Sequence, residues 1–104
     1  MRMFLMAALL SFAVTSSVAS DTTSEGKAMA ARLCAQCHAI EKEGESPLKQ
    51  APAFRTFAKK WPIENLEEAF AEGIVTGHTD MPEFEFEPNQ IDALLSYIGS
   101  IQTD

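Results

Sequence analysis

Two cysteines, Cys34 and Cys37, stand three residues apart, and His38 follows directly. The 104-residue chain has no other cysteine, so the pair serves either itself or something outside the polypeptide. A disulfide between them would close a tiny loop, and the stabilisation a bridge gives grows with loop length. It would staple almost nothing. A zinc site needs more Cys and His than stand nearby. A thioredoxin-like redox pair needs a βαβ setting, which the sequence lacks. The remaining reading is Cys34-Ala35-Gln36-Cys37-His38 as C-x-x-C-H, the attachment signature of a covalent haem. Two thiols at this spacing on a turn of helix reach the two vinyl groups of one porphyrin. The next residue then lies under the iron, where an imidazole can bind it.

The first twenty residues read as a secretory leader rather than as part of the fold. Arg2 gives a short positive start, an apolar run follows from Met3 to Val14 with only Ser11 interrupting, and small residues cluster from Ser16 to Ser20. The apolar part is too short to span a bilayer, which argues against an uncleaved anchor. Cleavage is expected after Ser20, with Ala19 the neighbouring alternative. Residues 1–20 are thus a signal peptide and residues 21–104 the mature domain, with no stable membrane span after cleavage and a periplasmic location. Loss of Arg2 takes the formal net charge from −7 to −8. A chain this acidic is a poor ligand for nucleic acid or an anionic membrane. A mature domain of this size buries a modest core and needs a staple, which a covalent haem would supply.

The rest of the pattern is helical. Ser24 is placed to cap a helix carrying Gly26, Met29, Ala30 and Leu33 toward Cys34. Residues 39–53, with Gly44, Pro47 and Pro52, read as loop, and Phe54 to Lys60 as a short helix. Pro62 suits a first helical turn, Ile63, Leu66, Phe70 and Ile74 form one stripe, and Gly73 and Gly77 end it. Pro88 opens a last helix with Ile91, Leu94, Leu95, Ile98 and Ile101 on one face. Phe84 and Phe86 alternate with glutamates over too few residues for a strand. The fold class is all-α.

If His38 binds one side of the iron, the other side needs a ligand. The mature chain has two methionines. Met29 enters on the helix ahead of the attachment motif and reads as core packing. Met81 lies in a loop where the chain can cross to the opposite face. His and Met together are a common ligand pair of electron-transfer haems and raise the potential. A loop methionine can also be a gap-filler, and His78, three residues earlier in the same loop, is the rival imidazole.

Taken together, Cys34 to His38, the segment Ala51-Pro52-Ala53-Phe54 and Met81-Pro82 ahead of a C-terminal helix resemble a small class I (monohaem) cytochrome c of the bacterial periplasm. The resemblance covers essentially the whole mature chain. It implies three to five helices wrapped around one covalently bound haem c, with the N- and C-terminal helices crossing. It implies that the Pro52 carbonyl accepts the Nδ1 proton of His38. It implies that Gly26 lets the two helices approach, against Leu94 and Tyr97 or Ile98. The aromatic usual four residues after this glycine is Ala30 here, which points to a differently packed crossing. Trp61 would donate its indole N–H to a haem propionate, or else serve as a core aromatic with its N–H at the surface.

The resemblance further implies electron transfer between redox partner proteins, without catalysis of its own. An alternative is a haem-carrying acceptor subunit of a periplasmic dehydrogenase or oxidase complex, which an exposed apolar patch around Phe84 and Phe86 would favour. A gas-binding or peroxidatic haem would need an open axial position. Many relatives ring the exposed haem edge with lysines. Here Asp80, Glu83, Glu85 and Glu87 crowd the methionine loop, and four of the five lysines and Arg55 lie at residues 42–60. The expected partner therefore has a basic docking surface.

Overall fold

The computed structural model describes residues 3, 7–13, 18–73 and 81–103. Among them are four α-helices and no strand: α1 (Val18–Leu33), α2 (Phe57–Lys60), α3 (Ile63–Glu72) and α4 (Pro88–Ser100). A 3₁₀ turn, Phe54–Thr56, runs straight into α2.

Helix α1 begins earlier than a cap at Ser24 predicts, and Ser24 lies inside it. No Gly or Pro breaks the chain between Val18 and Glu25, and Asp21 sits in the first turn, where a negative charge offsets the positive helix end. Helix α3 starts after Pro62 and stops at Gly73, whose φ of +86° is open to glycine and costly for other residues. Ile74 and Gly77, expected to finish this stripe, lie outside the described residues. Helix α4 opens with Pro88, and the Gln90 side chain accepts the free N–H of Glu87 at 2.8 Å, half of a capping box.

The core forms where α1 and α4 cross. Ala30, Phe54, Phe57, Phe70, Ile91, Leu94, Tyr97, Ile98 and Ile101 make one buried cluster, with Cys34, Ile40, Ile63, Leu66, Phe86 and Leu95 packed against it. Gly26 permits the crossing. A Cβ there would lie 1.9 Å from the Ala93 carbonyl oxygen and 2.9 Å from the Tyr97 Cβ, so any side chain would force the helices apart. The partners are thus Ala93 and Tyr97, one turn apart, instead of Leu94 or Ile98. Those two side chains are the most deeply buried large residues and belong to the apolar cluster. Ala30 is fully buried, and its small side chain suits this close contact.

Residues 7–13 have no regular structure, and Leu9, Leu10 and Phe12 are 94%, 79% and 84% exposed. This apolar stretch adds nothing to the core. Among the described residues, no helix is long and apolar enough to cross a membrane.

Candidate haem-attachment site

The attachment motif is the turn that ends α1. The Cys34 N–H donates to the Ala30 carbonyl at 2.9 Å, and the N–H groups of Cys37 and His38 both donate to the Cys34 carbonyl, at 3.1 and 2.9 Å. The chain therefore curls once more after the helix and carries both sulfurs and the imidazole on one compact turn. Both thiols are free and half-buried. Cys34 packs against the apolar cluster. Burial pushes its thiol up to about 11, and the neighbouring Cys37 adds to the shift. At neutral pH it is an uncharged thiol.

His38 is held from behind. Its Nδ1 donates to the Pro52 carbonyl at 2.7 Å. This bond fixes the tautomer and leaves Nε2 as the lone-pair nitrogen, the state a metal requires. Proline suits the post, because it has no N–H and its φ is fixed. The loop between the two residues is tied at several points. The Ala39 N–H donates to the Ser46 hydroxyl at 2.9 Å, the Leu48 N–H to the Cys37 carbonyl at 3.1 Å, and the Phe54 N–H to the Ala39 carbonyl at 2.9 Å. Two aromatic rings flank the imidazole. Phe54 is tilted at 5.2 Å between centroids and Phe57 is edge-on at 6.2 Å.

Helix α4 reaches the same loop. The Tyr97 hydroxyl donates to the Ile40 carbonyl, two residues beyond His38. Burial raises the Tyr97 pKa, and the charge of Glu41 raises it further. Neither this bond nor the flanking rings were read from the sequence. The spacing of Phe54 and Phe57 was the available signal, since residues three apart share a helical face.

The other expected residues are placed more loosely. Met81 is half-buried at the head of the irregular segment 81–87. In that segment Phe84 and Phe86 stack at 5.5 Å, and Phe86 packs edge-on against Phe70 of α3 at 5.7 Å. His78 and Asp80 lie outside the described residues. Trp61 is 43% exposed and rests edge-on against Phe57 at 5.8 Å, with the Lys60 ammonium 5.9 Å from its ring centroid. Among the described residues its indole N–H has no acceptor. Charge is divided along the chain. After Arg2, every Lys and Arg precedes Trp61, whereas ten of the fifteen acidic residues follow it.

This donor set fits a covalent haem. Two unbridged thiols, one imidazole in the metal-binding tautomer and a buried apolar wall converge on one turn. A helical domain of this size with such a turn defines a covalent haem carrier. The cytochrome c family model matches residues 23–102. The chain belongs to the cytochrome c family, in its class I monohaem form, and its cofactor is a covalently bound haem c with its iron. Its function is haem-based electron transfer with redox partners. No curated protein and no solved structure gives a significant match to the chain.

Proposed function

We propose that the chain is an exported electron carrier of the periplasm with His38 and Met81 as axial ligands and Cys34 and Cys37 as the thioether anchors. The observation that carries this reading is the 2.7 Å bond from His38 Nδ1 to the Pro52 carbonyl, on the turn that also holds both thiols. When bound, the haem iron supplies one-electron exchange between its ferrous and ferric states. The protein's part is to hold His38 still, so that little reorganisation accompanies each transfer. Phe54 and Phe57 pack against the imidazole and limit its movement. With His38 and Met81 both holding the iron, no position would be left for a substrate, and the chain would perform no bond-making chemistry of its own. Trp61, whose N–H has no acceptor among the described residues, serves a haem propionate.

Residues 1–20 act as the export signal. In support, the described part of the apolar run lies against nothing in the fold. The acidic residues around Met81, namely Asp80, Glu83, Glu85 and Glu87, make the docking face, suited to a basic partner. The alternative, an acceptor subunit fixed in a dehydrogenase or oxidase complex, gains less support. Phe84 and Phe86 are half-buried and engaged with each other and with Phe70.

The test is a reduced visible spectrum of the purified haem protein with and without carbon monoxide. A six-coordinate spectrum that carbon monoxide does not move is expected. A carbon monoxide complex in the unmodified protein would instead mark an open, gas-binding or peroxidatic haem.

A further inference from the structure

Gln102 follows α4 and lies far in sequence from the attachment turn, yet its side chain enters the wall behind His38. The amide Nε2 donates to the Phe54 carbonyl at 2.7 Å and to the Ile98 carbonyl at 2.8 Å, while Oε1 accepts the Ala58 N–H at 2.7 Å. Both amide hydrogens are used and the oxygen faces a donor, so the orientation is fixed. The flipped amide would set oxygen against two carbonyls.

The place where the amide sits is informative. In a continuous α-helix the Ala58 N–H would bond the Phe54 carbonyl, four residues back. Here the Gln102 amide stands between them and completes the link from both sides. A side chain inserted in the ladder opens it locally. The chain accordingly runs as a 3₁₀ turn from Phe54 to Thr56, with the Phe57 N–H on the Phe54 carbonyl, before α2 begins. This junction projects Phe54 and Phe57 onto His38. Its first residue is two beyond Pro52, whose carbonyl holds the imidazole. Thr103 adds to the grip, its N–H donating to the Arg55 carbonyl at 3.1 Å.

We propose that Gln102 is a positioning residue for His38: its amide, wedged between Phe54 and Ala58, sets the segment that presents the Pro52 carbonyl and two aromatic rings to the imidazole. The inference rests on His38 as an axial ligand. Loss of the wedge lets the Pro52 carbonyl drift and weakens its bond to Nδ1. A less strongly bonded imidazole is a poorer donor to the ferric iron, so the reduction potential rises.

The experiment uses the haem-loaded protein and three readouts: reduction potential, the hyperfine-shifted ring resonances of His38, and amide exchange at Ala58. Gln102→Ala is expected to speed Ala58 exchange by about fivefold, the weight of one hydrogen bond. It also moves the His38 resonances and raises the potential. Gln102→Glu keeps the acceptor for Ala58 and loses both donors. It moves the His38 resonances in the same way with less effect on Ala58, and those resonances decide the matter if the alanine variant yields no holoprotein. Ser100→Ala removes the hydroxyl bond to the Tyr97 carbonyl, 2.6 Å long, on the last turn of α4. It is expected to leave resonances and potential alone. If the Gln102 variants lose stability while His38 resonances and potential match the unmodified protein, Gln102 is only a fastener and the proposal is overturned. If the unmodified protein shows no hyperfine-shifted His38 ring, the ligand assignment fails first, and the positioning role falls with it.

Discussion

The segment around His38 and the segment around Met81 are built by different means. Residues 34–58 are stitched by hydrogen bonds that span long sequence separations, from His38 to Pro52, Ala39 to Phe54, Ile40 to Tyr97 and Phe54 to Gln102. Among the described residues, no hydrogen bond ties Met81 to Phe86 to the rest of the chain. Aromatic packing of Phe84, Phe86 and Phe70 holds that side instead. Hydrogen bonds fix angles, whereas apolar contacts fix mainly proximity. The imidazole is therefore oriented in advance, whereas Met81, in the axial role proposed for it, would be held softly enough to yield to a competing ligand.

The largest expected effect tests the stitched side. His38→Ala should reduce the yield of folded, haem-stained protein on the order of tenfold or more, since the iron would lose its proposed proximal ligand and the loop its central bond. A normal yield would show that the stitching matters less than the thioethers alone. Next, Met81→Ala should keep the covalent haem, admit carbon monoxide and lower the potential, as read by spectrum and titration. If spectrum and potential stay unchanged, the assignment of Met81 as ligand fails and His78 becomes the first suspect.

Phe86→Ala sharpens the contrast. It should cost about 2 kcal/mol in denaturant unfolding, roughly half the cost of a fully buried phenylalanine. It should also speed displacement of the Met81 side by added imidazole while His38 resonances stay put. The smallest effect belongs to Tyr97→Phe, about 1 kcal/mol, from leaving the Ile40 carbonyl without its donor. This variant also has a pH signature. The folded Tyr97 holds its proton above the ordinary tyrosine value, so its contribution is full below about pH 10 and declines as pH rises beyond it. Unfolding curves of the unmodified protein should weaken there, and those of Tyr97→Phe should weaken less.

The all-α architecture and the order of its helices were legible because the apolar stripes around Phe70 and Leu94 repeat at helical spacing and Pro62 and Pro88 mark the starts. The start of α1 was not, because Ser24 reads as a cap only when the residues before it cannot be helical, and they can. The attachment turn was legible from its five residues alone. The Gly26 contact was expected, but its partner was misplaced by one residue, from Ala93 to Leu94. Facing positions on crossing helices depend on the crossing geometry, which one sequence does not encode locally. Gln102 left no sign at all. A glutamine near the end of a helix looks like surface, and its three partners come from a distant turn and from Ile98.

The meeting of Gly26 with Ala93 also sets an order of events. The helix nearest one end of the domain can bury its inner face only against the helix nearest the other, so no smaller leading portion of the chain closes a core. A polypeptide threaded through a membrane from its amino end would stay pliant until its last helix had followed, and its two sulfurs would remain within reach of attachment until then.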